Sequence, residues 1–196
     1  MKRIVLAAIA ALATSAGLAA QTSIKPRVEI GLNLGKLEPK ESNLDFNIAA
    51  GLRAGVALEF ALSQSALSEI YLAPGLTYKN HGAKVTKYGE DNRLSMNSLS
   101  LPVNLGLRAS LGNDLGVSLE FGPYFSYLLS SSYLGASKNE DLKRFDAGIN
   151  GSVALEYQRY FIRLGAEYGF TDLNKPTIED NSLRNMGIFT TIGMTF

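Results

Sequence analysis

Residues 145–170 read FDAGINGSVALEYQRYFIRLGAEYGF, and this stretch decides the fold class. Over residues 145–157 the odd positions are mostly large and apolar, while the even positions are polar or small. Over residues 160–170 the apolar set moves to the even positions. A period of two predicts strands with one apolar and one polar face. The change of parity across Gln158–Arg159 predicts a tight hairpin, because a two-residue loop pairs its flanking residues on one face.

The same alternation recurs six more times, at residues 28–34, 48–60, 70–78, 99–111, 115–121 and 186–196. Between two of these segments, Gly112-Asn113-Asp114 predicts a three-residue hairpin loop. Connections after the first, third, fifth and seventh strands are long and polar, near residues 37–45, 79–93, 130–143 and 172–183. Short turns alternating with long loops predict an all-β, eight-stranded antiparallel up-and-down transmembrane β-barrel, with periplasmic turns and external loops.

The composition of the two faces decides which of them points inward. The apolar face of the predicted strands carries no charged residue, whereas the polar face is charged. A soluble barrel needs a charged exterior and an apolar interior, so the charged face must line the lumen and the apolar face must contact lipid. We predict that these side chains form a lumen charge network: Glu29, Arg53, Glu59, Arg108, Glu120, Glu156, Arg163 and Glu167. Pro74, Pro102 and Pro123 lie inside strands, where they predict bulges or bends.

The N-terminus predicts export. Lys2 and Arg3 precede an apolar run that ends in small residues, which is the order of regions in a signal peptide. We expect residues 1–20 to be a signal peptide and residues 21–196 to be the barrel, located in the cell outer membrane; cleavage after Ala19 or after Ala20 both fit. Loss of the two basic residues changes the formal charge from +1 to about −1.

Composition argues against several functions. The chain has no cysteine, which removes thiol catalysis and cysteine-ligated metal sites, and its near-neutral charge argues against nucleic acid as a partner. The sole histidine, His81, lies in a predicted loop with Asp91 and Ser95 nearby, but no base and orienting group are fixed beside it. We therefore expect no enzymatic activity, and no catalytic, cofactor-binding or metal-binding residues.

Several segments resemble the PorT-like outer-membrane β-barrel family of Bacteroidota-type bacteria. They are residues 28–34, 98–102, 120–129 and 143–148, together with a terminal strand that closes on Phe196. The resemblance implies insertion by the barrel assembly machinery, with Phe196 as the assembly signal, and residence in outer-membrane lipid. It implies little about activity.

Four functional hypotheses follow from the sequence. The favoured one is a barrel with a plugged lumen that acts through its external loops in binding, adhesion or envelope integrity. The alternatives are a small porin-like channel for ions or solutes, a component of an envelope or secretion assembly that binds an extracellular or envelope protein, and a membrane-embedded enzyme. The first two differ in whether the lumen conducts.

Overall fold

The computed structural model describes residues 24–39, 46–87, 90–112, 114–133, 136–137, 144–171 and 183–196. The expected signal peptide and its cleavage site lie outside these residues. The described chain forms eight long strands, β1 (Ile24–Pro39), β2 (Phe46–Gln64), β3 (Ser68–Lys87), β4 (Glu90–Gly112), β5 (Leu115–Tyr133), β6 (Phe145–Tyr157), β7 (Tyr160–Gly169) and β8 (Leu183–Thr195). A two-residue strand, Ala136–Ser137, pairs with the end of β5. No helix among these residues is long and apolar enough to cross a membrane.

The eight strands close into a barrel. Each long strand pairs antiparallel with its neighbour in sequence, and β1 also pairs with β8. Val28, for example, lies opposite Val56 on β2 and opposite Met194 on β8. Closure leaves no unpaired sheet edge, which satisfies the backbone hydrogen bonds of a lipid-exposed sheet. The predicted up-and-down, eight-stranded antiparallel architecture is confirmed.

The hairpin predicted from parity is confirmed in register. Tyr157 lies opposite Tyr160, and Gln158 adopts a φ of 55° in the two-residue turn between them. At the other predicted turn the ladder continues to Gly112, which lies opposite Leu115. The loop therefore contains two residues instead of the predicted three. A register shift between Ser110 and Gly112 inserts one unpaired residue into β4 just before the turn. Gly112, with a φ of 90°, occupies a backbone region that favours glycine.

The prediction of a loop near residues 79–93 is wrong for most of that range. β3 continues to Lys87 and β4 begins at Glu90, so the two strands form a long hairpin. His81 therefore lies within β3, with its backbone opposite Met96, rather than in a loop. Polar residues on both faces end the alternation near residue 79, but backbone pairing can continue beyond the bilayer, where both faces meet water.

Of the bulges or bends predicted at the prolines, the bulges are wrong, and the bends stay a prediction. The ladder keeps the same register on both sides of Pro74, Pro102 and Pro123. The register shifts lie elsewhere, between residues 49 and 53, 61 and 63, 97 and 98, and 110 and 112. The barrel therefore accommodates each proline by losing a ladder donor, without inserting a residue.

The two faces of the wall have opposite character. On β1, Ile30 is 59% exposed, whereas Arg27 is 5% exposed and Asn33 4% exposed. Large apolar side chains cover the exterior, and polar and charged side chains fill the interior. Exposed aromatic residues sit near both ends of the wall, including Tyr157 and Tyr160 at the short-turn end. This pattern matches a lipid-facing belt between interfacial girdles.

Candidate functional site: the lumen charge network

Glu120 is the central carboxylate of the lumen. Its oxygens accept hydrogen bonds from Arg27 at 2.5 Å, from the Tyr71 hydroxyl at 2.8 Å and from the Asn104 amide at 3.2 Å. Arg163 forms an ion pair with the same carboxylate. The Glu120 side chain is only 1% exposed, so two guanidinium groups and two neutral donors replace water around a fully buried charge.

Arg108 organises the end of the lumen that lies towards the short turns. Its guanidinium contacts three carboxylates, Glu59 at 2.7 Å, Glu69 at 2.6 Å and Glu156 at 2.6 Å. Lys25 contacts Glu69 at 2.8 Å and is the most exposed member of the group. The planar fork of an arginine suits such multiple contacts, because its donors point in fixed and different directions.

A second cluster of charged side chains, centred on Glu167, lies towards the long-loop end. Glu167 accepts hydrogen bonds from Arg53 at 2.5 Å and from Lys79 at 2.6 Å. Glu29 lies between this cluster and the central one, with its oxygens 3.8 Å from Arg53 Nε and 3.7 Å from Arg163 Nε. Both distances exceed that of a direct hydrogen bond.

The structure thus brings all eight residues of the predicted network into one lumen, and it adds members that the sequence analysis missed. The added charged side chains are Lys25, Arg27, Glu69, Lys79 and Asp146. The described lumen and its mouth hold six cations and seven carboxylates: Lys25, Arg27, Arg53, Lys79, Arg108 and Arg163, with Glu29, Glu59, Glu69, Glu120, Asp146, Glu156 and Glu167. The two signs are nearly balanced, as a closed low-dielectric interior requires.

Strand parity could have found the missed residues. Lys25 and Arg27 share the parity of Glu29 and lie just before the predicted start of the first strand. Glu69 likewise precedes the predicted start of the third strand, and Lys79 follows its predicted end. Extending each strand by one or two lumen-facing positions would therefore have added these four. The fifth, Asp146, already lies on the polar face of the strand predicted at residues 145–157.

Aromatic side chains in the lumen lie on glycines of the neighbouring strands. A Cβ added to Gly165 would stand 2.2 Å from the Phe189 ring, so the ring occupies the space that a side chain would need. Four such pairs lie directly opposite each other in the ladder: Tyr71 and Gly106, Tyr124 and Gly148, Phe161 and Gly193, and Phe189 and Gly165.

Each of these rings also has at least one cation over it. The cation lies 3.8 to 5.8 Å from the ring centroid, within the range of a cation–π interaction. The pairs are Arg108 over Tyr71, Lys79 over Tyr124, Arg27 and Arg163 over Phe161, and Arg53 over Phe189. The glycine therefore leaves room for the ring beside the wall, and the ring contacts a cation of the network.

The middle of the described lumen leaves little open space. A cavity of about 20 Å³, measured as the space open to the centre of a water molecule, lies among Arg27, Glu29, Arg53, Glu120 and Arg163. It has room for about one water. Among the described residues, no group of three or more histidine, cysteine, aspartate or glutamate side chains is arranged to hold a metal ion. What this arrangement can do is neutralise buried charge.

A closed eight-stranded antiparallel barrel with an apolar exterior and a charged, filled interior defines the class of small outer-membrane β-barrels. The chain belongs to the family of the outer membrane protein beta-barrel domain, whose model matches residues 19–175. It is a protein of the cell outer membrane.

Solved structures of three outer-membrane proteins are similar to this chain in fold. Ail, the attachment invasion locus protein of Yersinia pestis, is 13% identical, with 89% of this chain and 99% of that chain covered and a TM-score of 0.47. Neisserial surface protein A is 12% identical, with coverages of 89% and 99% and a TM-score of 0.49. The outer membrane enzyme PagL is 12% identical, with coverages of 83% and 97% and a TM-score of 0.44. A search of curated proteins finds no match.

Proposed function

We propose that this protein is a non-conducting, non-enzymatic barrel that acts through its external loops in binding, adhesion or envelope integrity. The observation that carries the proposal is the set of buried ion pairs in the middle of the lumen. Buried ion pairs bond Arg27, Arg53, Arg108 and Arg163 to carboxylates from other strands, and the central cavity has room for about one water. A permanent ion path would have to separate several of these pairs and admit water between them.

Because side chains occupy the middle of the lumen, we expect a partner to bind at the surface of the protein. The exterior wall is covered by lipid, and the turns at one end are short, so the longer connections at the other end offer the most sequence for a partner. These connections include residues 172–182 between β7 and β8. The PorT-like resemblance and the barrel assembly machinery as a partner are part of this proposal. A place in an envelope or secretion assembly is an alternative to it.

Conductance in planar bilayers tests the plug. The mature barrel is refolded in detergent, its folding is verified by the change in gel mobility on boiling, and single-channel current is recorded beside a general porin as a positive control. We expect no steady stepwise current from verified barrel. Regular current steps would contradict the plug and favour the pore, and Arg53 and Arg163 would then be the residues to mutate for ion selectivity.

Loop replacement tests where the function lies. Residues 172–182 are replaced by a Gly/Ser linker of equal length, and the turn Gln158–Arg159 is replaced by Asn-Gly as a control at the opposite end. We expect the loop variant to lose binding to host cells or resistance of the envelope to detergent while it keeps normal gel mobility. Equal phenotypes for both variants, or no phenotype for the loop variant, would contradict the proposal.

A further inference from the structure

The lumen network consists of two bonded parts. One part runs from Lys25 through Arg108 and Arg27 to Arg163, and shared carboxylates link each cation to the next. The other part consists of Arg53 and Lys79, which share Glu167. We call these the inner part and the outer part, because the first lies towards the short turns and the second towards the long loops.

Glu29 stands at the junction of the two parts. One carboxylate oxygen lies 3.8 Å from Nε of Arg53 in the outer part, and the other lies 3.7 Å from Nε of Arg163 in the inner part. The side chains of all three are at least nine-tenths buried. Oε2 of Glu29 and the Nε atoms of Arg53, Arg163 and Arg27 form no direct hydrogen bond with another protein atom.

The four residues that carry these atoms all line one small cavity, the central cavity described above. A buried donor or acceptor without a partner is costly, and such groups are normally satisfied by protein or by ordered water. The volume of about 20 Å³ exceeds the roughly 10–15 Å³ that one water requires. Size, polarity and the position of the unpartnered atoms therefore all indicate a small bound molecule.

We propose that the junction is a binding site for a single water molecule, held by Glu29 and by the Nε–H groups of Arg53 and Arg163. Water fits the chemistry because it accepts from a guanidinium N–H and donates to the Glu29 carboxylate. A halide could accept from the arginines but would be repelled by Glu29, and the described lumen already holds one more carboxylate than cations. A metal cation would face three guanidinium groups. The bound water joins the inner and outer parts into one continuous network.

A crystal structure at a resolution that shows ordered waters tests the site, using crystals grown with bromide in place of chloride. We expect one density peak within about 2.7–3.2 Å of Glu29 and of at least one of the two Nε atoms, without an anomalous bromide signal. A bromide peak at this position would replace the water with a halide site. Direct hydrogen bonds from Arg53 or Arg163 to Glu29, with no peak, would overturn the proposal.

Two variants and a solution measurement make the test independent of one crystal. Glu29→Gln keeps an acceptor and should keep the peak, whereas Glu29→Leu removes it and should lose the peak. Glu156→Leu, at the short-turn end, should leave the peak in place. If Glu29→Leu does not fold, the wild-type barrel in nanodiscs still gives the answer: NMR cross-peaks between long-lived water and the Nε–H groups of Arg53 and Arg163 are expected, and their absence would refute the site.

Discussion

At the scale of single residues, this barrel depends on glycines that face aromatic rings. Gly165 lies opposite Phe189, and Arg53 stands 3.8 Å above the centroid of that ring. A side chain at position 165 would push the ring into the lumen and displace the cation above it. Glycine is required here for the close approach of the ring and not for an unusual backbone angle, because the wall is regular at this position.

The Gly165→Ala substitution should therefore destabilise the barrel. The added Cβ would meet Phe189 at 2.2 Å and the Gly151 carbonyl oxygen at 2.8 Å, so we expect a loss of about 1–3 kcal/mol, typical of overpacking. Gly187→Ala is the matched control, since its Cβ would meet its nearest atom, a carbonyl oxygen of Leu34, at 3.5 Å. Urea unfolding in lipid vesicles measures both. Equal midpoints for the two variants would show that the ring does not need the glycine.

Neutralising Glu120 should cost more than neutralising any carboxylate at the rim. Glu120→Gln removes the buried counter-charge that Arg27 and Arg163 share. Arg27 keeps Glu59, but Arg163 keeps only Glu29 at 3.7 Å, and an uncompensated buried charge costs roughly 3–5 kcal/mol. Glu156→Gln is the control, because Arg108 keeps Glu59 and Glu69 when that contact is lost. The free energy of unfolding of the two variants, measured at one pH and salt concentration, should differ in this order. The reverse order would place the main stabilising charges at the mouth of the lumen.

At the scale of strands, the sequence predicts well which side chains face the lumen and poorly which of them meet across it. The bounds of β6 and the start of β7 match the prediction because alternation there is unbroken up to a tight turn. Parity also assigns Glu120 and Arg163 to the lumen. It does not reveal that Glu120 on β5 meets Arg27 on β1, because partners across a lumen depend on the stagger of the whole sheet. The register shifts likewise leave no simple mark in the sequence, so they were not predicted.

Two exposed leucines of β4 provide a test of depth on the lipid-facing side. Leu105 is 55% exposed and Leu111 60% exposed; Leu111 lies beside the short turn, and Leu105 lies further along the strand from that turn. Leu105→Arg places a charge deep in the bilayer and should cost about 2–4 kcal/mol, whereas Leu111→Arg should cost about 0–1 kcal/mol. Unfolding midpoints in vesicles compare the two. Equal losses would mean that the apolar belt is not centred where the strand pattern puts it.

At the scale of the whole molecule, closure joins the beginning and the end of the described chain. β1 pairs with β8 over most of its length, and the amide of Phe196 donates to the carbonyl of Pro26 at 2.8 Å. The neighbouring amide of Thr195 donates to the carbonyl of Arg159 in the last short turn. The final strand is therefore bonded on both sides, and the barrel cannot be complete until this strand has been placed.

Deletion of Phe196 separates a role in assembly from a role in stability. The Phe196 side chain is 61% exposed and so adds little to the packed interior. If the residue is an assembly signal, the deletion should reduce the amount of folded, heat-modifiable barrel in the outer membrane of cells while purified protein still refolds in detergent. Phe196→Tyr keeps the aromatic ring and should assemble normally in cells. Equal loss in cells and in detergent would instead assign Phe196 to the closure of the barrel, and normal assembly of the deletion variant would show that the terminal ring is dispensable.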